Sequence, residues 1–416
     1  MKTRINDASC EEGYLTAFGL DPDKVIYFDI ETTGFRASTS SLYMIGWAVR
    51  NPSILSISNP GFSKPHNASS AAPEKGWTVT QIIAESFLDE KLLLEQFGQV
   101  LSRYDTIIEF NGDRFDLPYL REKYEAYGME DPFTPLRSVD LYREIRPYKD
   151  MLSLKKLNQK SVERFLMIKR QDPFNGGELI DVYRSLRDHS CDDRTAALHA
   201  LFLHNYEDVV GMLAMTPLLA YPMAIQSTAP VRILKNPWNS SEDSEDIPGL
   251  AGLADSEDLK DLDESGKPIE GSYCLEVEYP LEVSVPIPLH LAFGEHCLVT
   301  LSGDYVYILL RPLSGTLRHF FPDYRNYYYL PAEDTAIHKS VASFVDPSHR
   351  EKAKAQNCYA KKQGFFLPQP EESFTPVFQR SYKDPAKWFE CICGWTDNTD
   401  ALSAYIHTLV RAANVP

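Results

Sequence analysis

A chain of 416 residues exceeds what one ordinary hydrophobic core organises, so two domains are the expectation. Hydrophobic residues at 43% and charged residues at 24% exclude a disordered chain, and a net charge of −17 excludes a uniformly basic surface of the kind that coats nucleic acid. Much of that charge is local, because ten acidic residues face two lysines between Ser240 and Lys267, a net of −8.

Met1 to Leu20 holds no sustained apolar segment, and no stretch approaches the roughly 20 uninterrupted apolar residues of a membrane helix. Seven scattered cysteines do not read as a disulfide framework, so a reducing cytoplasm is the expected location. Val25 to Glu31 reads as a strand, stopped by Thr32-Thr33-Gly34. Leu42 to Val49 and Ile54 to Ser58 read as further strands, with a loop over Lys64 to Lys75. Ile82 to Tyr104 carries apolar residues at helical spacing (Ile83, Phe87, Leu92, Leu93, Phe97, Leu101). A short strand, Thr106 to Phe110, precedes a helix at Leu117 to Tyr127, and Val139 to Leu141 reads as another short strand. Ser153 to Leu219 is helical in pattern, broken near Pro173 and at Gly176-Gly177. This succession predicts an α/β domain over residues 1–235, with its core at about 25–219.

Residues 236–271 are rich in Ser, Asp, Glu, Gly and Pro and read as an acidic flexible linker. Beyond it, residues 272–416 form a smaller, β-rich α+β accessory domain. Its strands are expected at Tyr273 to Val285, Cys297 to Leu301 and Tyr305 to Leu310, with a closing helix at Ala401 to Ala412.

The chemistry lies in carboxylates. On the strand Val25 to Glu31, side chains alternate between faces, so Asp29 and Glu31 share one with Val25 and Tyr27. Two adjacent carboxylates ending an apolar strand suit a hard divalent cation, or else a strand end emerging into solvent. Asn111-Gly112-Asp113-Arg114-Phe115-Asp116-Leu117-Pro118 opens a helix, where Asp116 reads equally as an N-cap. In His204-Asn205-Tyr206-Glu207-Asp208, His204 and Asp208 share a helix face, which an ordinary solvated pair would also explain.

Taken together, Asp-x-Glu-Thr-Thr-Gly, Asn-Gly-x-x-Phe-Asp-x-Pro and His-Asn-x-x-Asp resemble the DEDD superfamily of RNase H-like 3′–5′ exonucleases, in its YprB-like branch. Ser153-Leu154-Lys155-Lys156-Leu157 and Gly176-Gly177-Glu178 look like the same branch, and the likeness covers about Val25 to Leu219. The resemblance implies a mixed sheet flanked by helices and a metal-dependent nuclease acting on DNA or RNA, on single-stranded 3′ ends. It implies that Asp29, Glu31, Asp116 and Asp208 bind two divalent cations, Mg²⁺ or Mn²⁺, roughly 3.5–4 Å apart.

His204 is the candidate general base. It stands four residues before the last Asp, the spacing of the superfamily's tyrosine-type branch, whereas the histidine-type branch uses five. That difference is about 100° of helix rotation, so anchoring a phosphate or orienting a metal ligand is an alternative role. Thr32, Thr33, Gly34, Asn111 and Phe115 are candidate substrate contacts, with Phe115 also reading as core, and Asp113 is the rival of Asp116. The alternative function is a catalytically silent nucleic-acid-binding or regulatory protein on the same fold.

Arg311 to Lys362 counts nine Lys or Arg against five Asp or Glu, interleaved with His319-Phe320-Phe321, Tyr324 and Tyr327-Tyr328-Tyr329. Such a stretch suits single-strand binding. The preferred reading is a β-rich core with packed tyrosines and a lysine-solvated helix around His349 to Lys362. Cys391-Ile392-Cys393 lacks the second pair a structural zinc would need, and on a strand its cysteines share a face.

Overall fold

In the computed structural model, which describes residues 1–51, 76–174, 176–236, 274–392 and 394–414, the chain divides into two units, Met1–Pro222 and Met223–Pro416. The expected elements at Ile54 to Ser58 and Lys64 to Lys75, the linker after Asn236 and Cys393 lie outside the described residues. The six described cysteines are free thiols.

The first unit is built on strands β1 (Lys2–Ala8), β2 (Val25–Thr32), β3 (Leu42–Arg50), β4 (Trp77–Ile83), β5 (Thr106–Glu109) and β6 (Arg137–Asp140). They lie in the order β1-β4-β3-β2-β5-β6. Central β2 pairs antiparallel with β3 and parallel with β5, and β5 pairs parallel with β6. This is the mixed sheet that the resemblance implies. Among the described residues eight α-helices accompany it: α1 (Glu12–Ala17), α2 (Asp89–Leu101), α3 (Asp116–Ala126), α4 (Leu141–Ile145), α5 (Gln159–Phe165), α6 (Gly176–Arg187), α7 (Arg194–Met215) and α8 (Ala220–Ile225), the last running past Pro222.

The period-two alternation of β2 divides the core. Ile26, Phe28 and Ile30 pack against Leu93 and Phe97 of α2 and Leu120 and Tyr124 of α3. On the opposite face of the sheet, Tyr43 and Ile83 meet Leu179 and Tyr183 of α6 and Leu201 and Phe202 of α7. Ile82 and Ile83 therefore belong to a strand, not to the helical run expected from Ile82. They enter different cores, as neighbours on a strand must. Asp89 begins α2 and accepts the backbone N–H groups of Glu85 and Ser86.

The stretch Arg194–Ile225 has an 18-residue window of mean hydropathy 1.5, long and apolar enough to cross a membrane. That window is 78% buried, so its apolarity is accounted for by core packing. Asp193 caps α7 by accepting from Thr195 and Ala196.

Helix α7 lies close against the sheet at Gly46. A Cβ there would lie 2.0 Å from Asn205 Oδ1 and 3.1 Å from a Val209 methyl. Gly46→Ala is therefore expected to push Asn205 off the sheet and cost about 1–3 kcal/mol. A thermal melt checks this, and an unchanged midpoint would mean that α7 has room the packing denies it.

The second unit holds β7 (Arg232–Lys235), β8 (Leu275–Pro280), β9 (Leu289–Phe293), β10 (Cys297–Ser302) and β11 (Tyr305–Leu310), in the order β7-β8-β11-β10-β9. Residues Arg232–Lys235, read with the first domain in the sequence, thus pair with β8. Two three-stranded sheets follow, from β12 (Leu313–Phe320), β13 (Tyr327–Leu330), β14 (Thr335–His338), β15 (Glu351–Lys352), β16 (Tyr359–Pro368) and β17 (Trp388–Glu390). Their orders are β12-β16-β17 and β14-β13-β15, with α9 (Lys339–Ala342) between β14 and β15 and α10 (Thr399–Ala412) after β17.

The helix expected around His349 to Lys362 is instead β15 and the start of β16. Lys361 and Lys362 pair across the ladder with Arg318 and Leu317, and that long-range pairing overrides the local polarity. Tyr327 and Tyr329 are half-buried against a small core of Ala336, Ala353 and Cys358, with Phe321 stacked on Tyr327 at 4.6 Å.

Candidate metal centre

Three segments deliver four carboxylates to one place. Asp29 and Glu31 leave the β2 face that turns toward α7, and a register shift between Glu31 and Thr32 ends the regular ladder there. Asp116 is the first residue of α3, with Phe115 rather than Asp116 in the capping position, so the N-cap reading does not hold. Asp208 lies on α7, one turn beyond His204.

The charges of these carboxylates act on one another. Burial pushes Asp29 well above its ordinary value, and Asp208, Glu31 and Asp116 push it further. Glu31 is raised by burial and then by Asp208 and Asp116. Asp116 is raised by burial to about 7, with contributions from Asp140 and then Asp208, although its own backbone N–H and that of Ile30 oppose the shift. Every pairing among the four residues is therefore repulsive, and burial of Asp29, Glu31 and Asp116 limits its screening by water.

His204 completes the ring of donors. Its Nδ1 lies 2.6 Å from Asp172 Oδ2, and its Nε2 lies 3.3 Å from Asp208 Oδ2 and 3.7 Å from Glu31 Oε1. Burial pushes Asp172 upward, but the Phe174 N–H and the His204 ring outweigh it and hold the carboxyl below its usual range. With Nδ1 donating to Asp172, a neutral ring would aim the Nε2 lone pair at two carboxylates, which is repulsive unless a proton or cation lies between them. Glu31, His204 and Asp208 each offer a donor atom within 4.8 Å of the others. Buried oxygens in mutual repulsion, with one imidazole nitrogen, fit a hard divalent cation such as Mg²⁺ or Mn²⁺.

Several residues that hold this arrangement escaped the sequence reading. Asn205, fully buried, donates from Nδ2 to Asp29 Oδ2 at 2.9 Å and accepts from Gln81 Nε2 at 2.9 Å, which fixes the Asp29 rotamer. Arg170 donates to Asp208 Oδ1 at 2.6 Å and to both oxygens of Glu163 at 3.1 and 3.3 Å, and its Nε lies 3.5 Å from Glu207. The backbone N–H groups of Gln171 and Asp172 donate to Glu207 at 2.7 and 2.9 Å. The loop from Arg170 to Asp172 thus grips His204, Glu207 and Asp208 together.

Asp113, the rival of Asp116, is committed elsewhere. It accepts from Ser138 at 2.7 Å and pairs with Arg143. Glu109, Asp113 and Asp140 form a second acidic group within 4.8 Å. There Ser138 Oγ lies equally 2.7 Å from Glu109 Oε1, so its one proton is shared between the two carboxyl groups, Asp140 caps α4, and burial raises Glu109 well above its ordinary value. Ser138, Arg143 and backbone donors engage part of this group and brace the loop before α3, while Glu109 Oε2 is buried without a hydrogen-bond partner, so these carboxylates too could hold a cation. Gly112 is required in that loop, since a Cβ would meet Glu109 Cγ at 2.3 Å.

The candidate substrate contacts divide. The Asn111 N–H is taken by Asp140 at 2.7 Å, with the residue at φ 65°, so its backbone serves the brace. Phe115 packs against the core beside Tyr119. Thr32 and Ser40 both donate to the Gly34 carbonyl at 2.9 Å, and Thr33 bonds to Ser41, so this loop is tied internally rather than open. Just beyond it Phe35 is 91% exposed, with its ring 6.1 Å from Phe115.

Comparison with known proteins gives three findings. Residues 26–220 match the family model of the RNase_H superfamily. Over 62 residues the chain is 34% identical to DNA polymerase 1 of Aeropyrum pernix, a match spanning 15% of this chain and only 6% of that protein. The family B DNA polymerase from the hyperthermophilic archaeon Pyrobaculum calidifontis aligns with a TM-score of 0.34 and 15% identity, covering 55% of this chain and 32% of that one.

Proposed function

Residues 26–220 form a domain of the RNase_H superfamily, and from that premise we propose that the chain is a metal-dependent 3′–5′ exonuclease acting on single-stranded DNA or RNA. The observation that carries this reading is the convergence of Asp29, Glu31, Asp116 and Asp208, from two strand positions and two helices, into one mutually repulsive cluster. Evolution of a buried cluster so unfavourable on its own makes physical sense where cations neutralise it.

Asp29, Glu31, Asp116 and Asp208 would hold two divalent cations, which when bound would supply charge neutralisation and Lewis-acid polarisation of the scissile phosphodiester. Asn205 keeps Asp29 oriented. His204 accepts the proton of the attacking water at Nε2, while Asp172 fixes the proton on Nδ1 and the plane of the ring. Phe35, standing clear of the surface beside Phe115, offers an apolar face to a terminal base.

A second reading has one observation in its favour. The Arg170 guanidinium already pairs with Asp208, as a resident cation would in a silent nucleic-acid-binding protein. Cleavage decides between them. With Mg²⁺ or Mn²⁺, 5′-labelled single-stranded DNA or RNA is expected to shorten progressively from its 3′ end, and chelation is expected to stop this. Intact strands of both sugars, with binding retained, would install the silent reading instead.

A further inference from the structure

The second unit carries a surface that the carboxylate cluster does not use. Strands β12 and β16 pair so that Arg318 faces Lys361 and Phe320 faces Tyr359. These four side chains share one face of the sheet, because positions two apart point the same way. The opposite face is the closed one, where Leu317 and Phe366 pack with Phe378 and Trp388.

On the first face the side chains form a continuous row. The Arg318 guanidinium lies 5.0 Å over the Tyr359 ring, and Phe320 meets Tyr359 at 5.2 Å. Tyr382 meets Phe320 at 5.6 Å, and Lys383 Nζ lies 5.7 Å over Tyr382. Tyr382 is 41% exposed, and Lys361 and Lys383 are exposed. Among the described residues neither Arg318 nor Lys383 has a carboxylate partner, while Lys361 pairs with Asp334 at 3.1 Å. Unpaired cations gathered at aromatic rings are out of keeping with a chain of net charge −17. Their complement is a polyanion that also carries flat π-faces.

We propose that this face of β12 and β16 binds single-stranded nucleic acid, with phosphates at Arg318, Lys361 and Lys383 and bases against Phe320 and Tyr382. It rests on the nuclease reading only for the expectation that such a strand is the chain's substrate. The contact is sequence-tolerant, since every base has a π-face and every linkage the same charge.

The test uses the full chain in EDTA, so that strands stay intact, with fluorescently labelled oligothymidylate and oligouridylate as probes. Replacing Arg318, Lys361 and Lys383 together by Gln is expected to flatten the dependence of log K on log salt by about 2. Tyr382→Ala, an exposed change that spares the sheet, is expected to weaken binding about tenfold at fixed salt. An unchanged slope in the triple variant together with unchanged affinity in Tyr382→Ala overturns the proposal, as does equal affinity of the wild type for polyglutamate. Cleavage of a labelled dinucleotide, too short to need the second unit, is read in parallel in a separate reaction with Mn²⁺ in place of EDTA. Dinucleotide cleavage with unaltered strand affinity in the variants rejects this surface alone. Strand affinity lost in the variants, with no cleavage by any form, supports the surface and rejects the nuclease reading.

Discussion

Asp29→Asn is expected to abolish phosphodiester cleavage and, in the metal-free protein, to raise the melting temperature. The fall in turnover should be about 10³-fold or more, the scale of losing preorganised charge at a transition state. The gain in stability follows from the same cluster. Asp29, Glu31 and Asp116 are all held above their unfolded values, so the folded state binds more protons than the unfolded one. The resulting penalty is fully present above the folded pKa and disappears as pH falls below the unfolded one. For Asp116, raised from 3.8 to about 7, the penalty at full charge is on the order of 4 kcal/mol. In EDTA the wild type should therefore gain stability as pH is lowered from about 7 toward 4. The advantage of Asp29→Asn should be largest at pH 7.5 and shrink at pH 5. A variant that melts below the wild type at both pH values would mean that the Asp29 charge is favourable to the metal-free fold, contrary to this account.

Arg170→Met is expected to be the most destabilising single change near the site. Arg170 is the cation shared by Glu163, Glu207, Asp172 and Asp208. Burial already raises Glu163 in spite of that partner. Removing one member of a buried ionic network leaves uncompensated charge and costs about 3–5 kcal/mol. For a unit of this size that lowers the midpoint by roughly 10 °C. Mg²⁺ should recover part of the loss, because a cation at Asp208 takes over some of the neutralisation. A calorimetric scan with and without Mg²⁺ checks both, and a midpoint within a degree of the wild type would show that the four carboxylates tolerate one another without Arg170.

Much of the site was legible because strand periodicity is strict. A period of two places Asp29 and Glu31 together and opposite Ile26, Phe28 and Ile30, and the structure keeps that division. The helical i,i+4 relation likewise sets His204 and Asp208 on one face. What could not be read is what long-range contact decides. Arg170 and Asp172 sit in a loop without periodicity, and their partners on α7 lie 38 and 32 residues away. Gly46 looks like any strand glycine until Asn205 is seen against it. The engagement of Asp113 by Ser138 and Arg143 could not be read either, since no local pattern ties those residues to it. Lys361 and Lys362 read as a solvated helix because their polarity is local, whereas their pairing with β12 is not.

The central claim, that Asp29, Glu31, Asp116 and Asp208 form a divalent-cation centre, is tested most directly by titrating the full chain with Mn²⁺ and counting bound ions by electron paramagnetic resonance. The account predicts two ions per chain in the wild type and loss of tight binding in Asp29→Asn and Asp208→Asn, with Asp113→Asn unchanged. Equal Mn²⁺ binding by the wild type and the Asp29 and Asp208 variants would contradict it.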